Sequence, residues 1–509
     1  MSKILYIILI LLLIPFFSFA QEFGFGFADD SSEGSSSATG SSVLPFTLKI
    51  GGEIEAGPLL FFNDFKGEKN SGSFNVLDYF SSTINFGIAG KSADLFLELD
   101  LSSASFTELV NDEFSLSHTP QLINEIWIRS YFGRFTIDTG FLKPGWGRMF
   151  SPGPLDVTNP LDYSDLTKIA DLKAMKIARP MLLVSWNAGD FTKLEAVFIP
   201  NFQGHRFAQK TRWVPYEFTS KPLDVAGGIL TRAGELYRPH LPDPNYSLVL
   251  DGLKQNLVSN IGAAPISLPD TSGINYFQTG LRFTTTAASV DLGAQYFYGN
   301  TPRPSVSVDG VDLFLNDLLT GIMGNPLYPA DLSLLSTRIE YSRYHQLGVD
   351  FASVIAGLNT RAEFAGHITE DLSGSNGAVK NPFLSWALGF DRNILLGVNF
   401  NIQCNQNIRL KDNKISSNPA FDSEAGTDIT STRLIVQLSR QFSMDRLELK
   451  IVNIWGIEDG DACILPSIAW SINDIRAEIS CGFFIGDKKG ELGQYRDNSF
   501  IRAMIKYSF

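Results

Sequence analysis

Apolar and polar residues alternate with a period of two along much of this 509-residue chain. The last eleven residues show the pattern most clearly, because one face carries Ile501, Ala503, Ile505, Tyr507 and Phe509 and the other carries Arg502, Met504, Lys506 and Ser508. Successive side chains of a strand point to opposite faces. The segment is therefore predicted to be a strand with one face in lipid and the other in water.

The same alternation predicts about eighteen strands (sixteen to eighteen), and segment 338–356 is long enough to form two. Their approximate spans are 46–57, 82–90, 92–101, 121–132, 134–142, 181–188, 191–200, 273–286, 288–299, 338–356, 358–371, 382–392, 394–410, 431–443, 445–458, 462–472, 475–486 and 499–509.

Short and long connections alternate between these strands. Tight turns are predicted near Gly90, Gly133, Gly189, Thr286, Gly357, Asn393, Met444 and Asn473, with long connections such as 143–180, 201–272 and 300–337 between them. After residue 20 the chain has no apolar run long enough for a spanning helix. Open sheet edges would leave backbone groups unpaired in lipid. We therefore predict an all-β fold, a transmembrane antiparallel up-and-down β-barrel with long extracellular loops.

Within a strand, the face to which a side chain points follows from its parity, that is, from whether its residue number is odd or even. In 394–410, Leu396, Val398, Phe400 and Ile402 point one way, and the opposite face is almost entirely polar, from Gly397 to Arg409. We expect the polar face to meet water, because a barrel of sixteen to eighteen strands encloses an aqueous channel.

The amino terminus has the form of a secretory signal peptide. Lys3 precedes an apolar run from Ile4 to Ile14, and Ser18 and Ala20 are small residues at the two positions that a signal peptidase reads. Cleavage is predicted after Ala20, with a retained membrane anchor as the alternative. The predicted organisation is a signal peptide (1–20), a flexible Ser/Gly-rich periplasmic segment (21–45) and the barrel (46–509), located in the outer membrane.

Composition narrows the function. The net charge of −13 gives no electrostatic support for binding nucleic acid. The five His residues lie in no catalytic or metal-ligand spacing, so we expect neither an enzyme nor a cofactor. Of the three Cys residues, Cys463 and Cys481 flank a predicted turn at Asn473. They are offset too far to bridge, so free thiols are expected.

The predicted lumenal faces carry an uneven distribution of charge. The first five strands contribute an acidic set and the last six a basic set; the principal residues are Glu53, Glu55, Asp94, Glu98 and Asp100, and Arg409, Arg433, Arg446, Lys450, Arg476 and Arg502. The two sets could create a transverse field across the channel. Alternatively, they could neutralise each other where the first and last strands meet.

The segment after the fifth strand, residues 141–163, is rich in Pro and Gly and carries Trp146-Gly147-Arg148 and Pro154-Leu155-Asp156-Val157-Thr158-Asn159-Pro160-Leu161-Asp162. It resembles a signature of alginate-export-like and related large outer-membrane porins. In such barrels an inward-folded loop narrows the channel, so the resemblance makes Trp146, Arg148, Asp156, Asn159 and Asp162 candidates for the narrow zone. An ordered extracellular turn is the alternative. The aromatic end of the last strand, Tyr507 and Phe509, resembles the assembly signal of outer-membrane barrels.

Segment 201–272 combines aromatic and basic residues, such as Trp213, Tyr237 and Arg212, and a short helix is predicted over 222–238. These residues could bind sugars, but packing of the loop against itself is favoured.

Taken together, these patterns predict a porin for passive diffusion of small polar solutes, with sugars or acidic sugars as candidates. Expected partners are outer-membrane lipid and the barrel-assembly machinery; the oligomeric state stays open. The alternatives are a surface-exposed binding protein or adhesin mounted on a barrel, and a transporter of hydrophobic solutes of the fatty-acid type.

Overall fold

The computed structural model describes residues 46–63, 79–102, 122–172, 174–208, 211–260, 266–267, 269–324, 331–444 and 446–509. The predicted signal peptide (1–20) and the Ser/Gly-rich segment (21–45) lie outside the described residues, so both stay predictions.

Eighteen antiparallel strands close into a barrel. Each pairs with its neighbour in sequence, and the first pairs with the last. The strands are β1 (Phe46–Gly57, continued after Pro58 by Leu59–Phe61), β2 (Tyr79–Gly90), β3 (Ala93–Asp100), β4 (Ile123–Phe132), β5 (Phe135–Leu142), β6 (Arg179–Asn187), β7 (Thr192–Ile199), β8 (Gln278–Ala287), β9 (Val290–Asn300), β10 (Arg343–Ile355), β11 (Leu358–Thr369), β12 (Phe383–Asn393), β13 (Asn399–Arg409), β14 (Thr430–Phe442), β15 (Leu447–Gly456), β16 (Asp461–Ile472), β17 (Ile475–Ile485) and β18 (Phe500–Ser508). The predicted fold class is confirmed.

Three predicted strands need correction at their starts. The strand predicted over 338–356 is β10, and Ser336–Glu340 forms a separate short strand outside the barrel. The strand predicted over 394–410 begins at Asn399, because the chain turns at Leu396, whose φ of 65° is incompatible with a strand. The strand predicted over 273–286 begins at Gln278, after a single turn of 3-10 helix at Ile274–Tyr276.

Turn length distinguishes the two ends of the barrel, as predicted. At one end the connections are short; Ala288 and Ser289 alone join β8 to β9, both with positive φ (49° and 67°). Turns with positive φ at both central residues match the twist of a hairpin. At the other end lie the long connections, including 143–178, 200–277 and 301–342.

The outer face of the barrel is apolar. Leu281, Leu347, Ile451, Ile479 and Ile505 point outward, and Leu347 and Ile505 are 56% and 62% exposed. Strand parity thus separates an apolar outer face from the inner face, which we call the lumenal face. An apolar surface of this extent requires lipid around it.

Three α-helices pack together at the long-loop end: α1 (Tyr216–Tyr237), α2 (Asp243–Asn260) and α3 (Val311–Gly324). Short strands accompany them at Asp162–Tyr163, Arg206–Phe207, Ile266–Ser267, Ser305–Asp309 and Ser336–Glu340, and further turns of 3-10 helix lie at Leu166–Lys168, Leu332–Leu334, Leu395–Gly397, Asp412–Lys414 and Gly493–Asn498. None of the helices in the described ranges is both long and apolar enough to cross a membrane.

Candidate functional site

The loop between β5 and β6 folds into the barrel, where a carboxylate of the lumenal face holds its main chain. Glu363 on β11 accepts hydrogen bonds from the backbone N–H groups of Arg148 (2.5 Å), Met149 (3.1 Å) and Leu155 (3.1 Å). Gly147 has φ +88°, and a Cβ there would lie 2.6 Å from the Glu363 carboxylate. The close approach of loop and wall therefore requires glycine.

Lumenal amide side chains bind the same stretch of main chain. Gln403 on β13 accepts from the N–H of Ser151 (3.0 Å) and donates to its carbonyl (3.1 Å). Gln346 and Gln295 donate to the carbonyls of Pro154 and Leu155. The prediction that the polar face of 394–410 meets water is therefore wrong at Gln403, which is only 1% exposed because the loop covers it.

Two of the predicted narrow-zone residues, Trp146 and Arg148, attach the loop to the barrel wall. Arg148 Nε lies 2.5 Å from Asp350 and its Nη1 lies 3.2 Å from Asp291. Trp146 is 2% exposed and meets Phe297 edge to face, with ring centroids 6.4 Å apart. Neither residue lines the two cavities described below.

The other three candidates lie further along the loop. Asp156 forms a nearly buried ion pair with Lys176 (2.6 Å), and Asn159 Nδ2 donates to the carbonyls of Leu142 and Ile177. These contacts tie the two ends of the loop together. Asp162 pairs with Arg206 (2.8 Å) and, of the five candidates, is the one that lines the larger cavity.

Beyond Asn159 the loop packs against an apolar part of the lumenal face, which sequence analysis did not anticipate. Its buried residues, among them Leu161, Leu166, Ile169 and Met175, contact inward-facing side chains of β14–β18, including Ile435, Val452, Ile454, Leu465 and Phe484. Strand parity contained this signal for four of the five: Ile435 shares the lumenal face of its strand with Arg433, Val452 and Ile454 share theirs with Lys450, and Phe484 shares its own with Arg476. Tyr237 lies in the cluster of the helices, as the packing interpretation of segment 201–272 predicts. Trp213 packs instead on Phe61, Phe484 and Tyr495 outside that segment and also lines the larger cavity.

Two cavities remain inside the barrel. The larger, of about 2180 Å³, is lined by residues from the loops and the wall, and its charged members include Asp162, Arg206, Arg212, Glu217, Arg303, Lys380, Arg409, Glu424, Arg433, Glu458 and Glu491. The smaller, of about 370 Å³, lies between loop residues 152–160 and the wall. Both are lined by Lys176, His205, Arg303, Lys380, Arg433 and Glu491, so a band of charged residues separates them.

Ion pairs in the charged band lower the pKa of the Glu491 carboxylate. Glu491 pairs with Arg433, and Arg303 lies 3.4 Å from Glu217. Arg433, and then Arg303, lower the pKa of Glu491 to about 2, so the carboxylate stays ionised at neutral pH. Burial, followed by the charge of Arg303, lowers the pKa of His205 to about 3, which keeps this imidazole neutral. Burial also lowers the pKa of Lys380.

The lumenal charges of the first and last strands meet in ion pairs. Lys506 lies 2.5 Å from Glu53 and 3.7 Å from Glu55 across the β1–β18 seam. Arg476 bridges Glu448 (2.8 Å) and Glu478 (3.0 Å), and Arg502 lies 4.0 Å from Glu478.

The remaining charge candidates are distributed more widely. Asp94 accepts from the Tyr131 hydroxyl (2.5 Å), Glu98 from Asn124, and Asp100 from the N–H of Ser102. Arg409 pairs with Asp412 (2.6 Å). Lys450 faces the lumen on β15, whereas Arg446 lies in the turn before that strand.

Metal ligands and cysteine thiols are two further kinds of group to consider in the described part of the chain. It holds no group of three or more His, Cys, Asp or Glu residues placed to bind a metal ion. The three Cys residues are free, as predicted; the β16–β17 register, with Ile464 opposite Phe483, places Cys463 on the lumenal face and Cys481 on the outer face.

No protein-family model and no curated protein matches this chain. Solved structures of similar shape include Pseudomonas aeruginosa OpdK with vanillate, which is 8% identical over 91% of this chain and 98% of its own, with a TM-score of 0.43. Pseudomonas aeruginosa OccK10 (OpdN) is 8% identical over 91% of this chain and 99% of its own, with a TM-score of 0.43. The outer membrane channel DcaP of Acinetobacter baumannii is 8% identical over 93% of this chain and 100% of its own, with a TM-score of 0.36. These values are too low to support an argument about function, which therefore rests on the lumen itself.

Proposed function

We propose that this protein is an outer-membrane porin through which small polar solutes diffuse passively. The observation that carries the proposal is a closed barrel with an apolar outer face around a cavity of about 2180 Å³ lined by charged and polar side chains. Such a barrel belongs in a bilayer, and its polar interior offers water-soluble compounds a path across.

The proposed location is the bacterial outer membrane, after export and cleavage behind Ala20. Lipid would then contact the apolar outer face, and the barrel-assembly machinery would insert the chain. Mass spectrometry of the mature protein should give an amino terminus at Gln21; a mature chain that retains residues 1–20 would contradict this part of the proposal.

We assign the narrow zone of the channel to the loop over 143–163 and the charged band beside it. Asp162 faces the larger cavity and Asp156 and Asn159 face the smaller one, while Trp146 and Arg148 hold the loop against the wall. Sugars and acidic sugars, the solutes suggested by the aromatic and basic residues of segment 201–272, are the candidate cargo, because the lining combines cations with hydrogen-bonding groups.

Liposome swelling tests the proposal directly. Vesicles that contain the purified protein should swell in an isotonic solution of a monosaccharide and remain stable in a solution of a large polysaccharide. Vesicles that contain heat-denatured protein provide the control. Failure of folded protein to admit the monosaccharide would overturn the proposal. A hydrophobic-solute transporter is not favoured, because charged side chains line the larger cavity.

A surface-exposed binding protein is the second candidate, and one observation favours it. Leu223, Leu248 and Leu313 on the three helices are more than half exposed at the long-loop end. Under this alternative the barrel would serve as a mount, and the vesicles would not swell.

A further inference from the structure

The smaller cavity has the properties of a binding site as well as those of a passage. Its volume of about 370 Å³ falls within the range of small-molecule sites, roughly 300–1,000 Å³. It lies between the inward-folded loop and the wall, and a solute in the larger cavity would reach it past the charged band.

Three residues whose polar side chains have unused hydrogen-bonding capacity line this cavity. Within the described part of the chain, Nδ1 and Nε2 of His367, Oδ1 of Asn300 and Oγ1 of Thr301 have no hydrogen-bond partner. The three residues are 7%, 3% and 5% exposed, and all three line the cavity. Buried polar groups are usually hydrogen-bonded, so this group of atoms suits a ligand that both donates and accepts.

Flat aromatic surfaces accompany these atoms. The His367 ring stacks on Phe383 at 4.0 Å and 9°, and the Tyr344 ring lies 5.5 Å from His367. The ammonium of Lys380 lies 4.7 Å from the Phe383 ring centroid. The site therefore combines apolar faces and neutral donors and acceptors with the Lys380 cation, beside the ion-paired charges of the band.

We propose that this cavity binds a hydroxylated six-membered ring of monosaccharide size, as a specific station on the pathway of the porin proposed above. A ring hydroxyl can donate to Oδ1 of Asn300 and can donate to or accept from Thr301 and His367, while the C–H face of the ring packs on the aromatic side chains. Lys380 can donate to a hydroxyl of a neutral hexose or to the carboxylate of a uronic acid.

Saturation-transfer NMR on the detergent-solubilised full chain tests this proposal without requiring conduction. D-glucose and D-glucuronate are titrated separately against the wild type and against His367→Phe, which keeps the ring stack but removes both nitrogens. A second variant, Thr301→Val, changes little in volume and removes only the hydroxyl. His345→Phe is the matched control, because His345 lies on the outer face of β10.

The wild type and the control should bind at least one of the sugars, with an affinity about tenfold higher than that of His367→Phe and several-fold higher than that of Thr301→Val. Weaker binding of glucuronate alone in Lys380→Gln would identify the acidic ring as the ligand; a similar loss for both sugars would show that Lys380 holds a ring hydroxyl. Absence of binding to the wild type, or equal binding by all variants, would overturn the site. A protein that fails to bind but still admits the monosaccharide in swelling experiments would leave the porin proposal intact. Binding without swelling would overturn the porin proposal alone.

Discussion

The three hydrogen bonds at Glu363 make this residue the strongest anchor of the loop. In the wild type the Glu363 carboxylate accepts hydrogen bonds from three backbone N–H groups. In Glu363→Gln one carboxylate oxygen becomes an NH₂ group, which cannot accept, so at least one backbone N–H loses its partner. Leaving a buried donor unpaired costs about 1–3 kcal/mol. We expect a looser loop, seen as larger open-channel current noise and faster trypsin cleavage at Arg148.

Glu195→Gln is the control for this change, because Glu195 is a lumenal carboxylate whose ion-pair partner is Lys193 of its own strand. The control should match the wild type in both measurements. If Glu363→Gln is as quiet and as protease-resistant as the wild type, Glu363 does not hold the loop.

Glu491 should influence ion selectivity over a wide pH range. Its pKa of about 2 lies below the ~4.3 of an unperturbed Glu, so its ion pairs stabilise the fold above ~4.3, and this contribution is lost as the pH falls through about 2. In Glu491→Gln, Arg433 and Arg303 lose a neighbouring negative charge. The ratio of chloride to potassium permeability should rise by roughly twofold.

The measurement is the zero-current potential in a KCl gradient at pH 7 and at pH 4, with Glu235→Gln on helix α1 as the control. The difference between Glu491→Gln and the wild type should persist at pH 4, because the wild-type carboxylate is still ionised there. A difference that disappears at pH 4 would contradict the assigned pKa.

The loop was predictable from the sequence, but the partners that hold it were not. Trp146 and Arg148 were predicted to narrow the channel, yet they bind Phe297, Asp350 and Asp291, which lie some 140 to 200 residues later in the chain. Glu363 and Gln403 were missed. Their lumenal parity was visible, but the partners of a lumenal side chain depend on how the loop folds, and no local pattern encodes that.

At the scale of elements, the seam between the first and last strands should be close to electrically neutral. Arg476 is paired with Glu448 and Glu478, and Lys506 with Glu53 and Glu55. We therefore expect that changing Arg476 and Glu478 together to Gln, which removes one positive and one negative charge, shifts the zero-current potential only slightly. A large shift toward cation selectivity would support the transverse field instead.

The last strand closes the barrel through its final residue. The N–H and carbonyl of Phe509 exchange hydrogen bonds with Gly52 (3.0 and 2.9 Å), and the Phe509 ring stacks with Tyr507 at 6.0 Å. Deletion of Phe509 removes these contacts along with the proposed assembly signal. The amount of heat-modifiable, folded barrel in the outer membrane should fall, whereas Phe509→Tyr should assemble normally. Equal assembly of the truncated chain would refute the role of Phe509.

The strands were predictable and two of the helices were not predicted. Alternation over eight or more residues located every barrel strand, because a strand between lipid and a polar lumen must repeat every two residues. Helix α3 was missed, although Val311, Phe314, Leu315, Leu318 and Ile322 follow helical spacing and form its buried face. Helix α2 shows weaker periodicity and is stabilised by packing on α1, which sequence alone does not reveal.

At the scale of the whole molecule, the barrel wall and the inward-folded loop together define the interior. The wall alone would enclose a wide aqueous channel. The loop fills part of that space through polar contacts to β9–β13 and apolar contacts to β14–β18. The central claim is therefore that this loop sets the opening of a conducting channel.

Single-channel conductance in planar bilayers tests this claim most directly, by comparing the full chain with a variant in which residues 146–160 are replaced by a short Gly-Ser linker. The deletion is feasible because the hydroxyl of Thr158 lies 3.2 Å from the carbonyl of Pro144, so the two ends of the deleted segment lie close together. Heat modifiability of the variant would establish that the barrel still folds. We expect discrete conductance from the full chain and a several-fold larger conductance from the variant. Equal conductance of the two folded proteins, or no conductance from either, would contradict it.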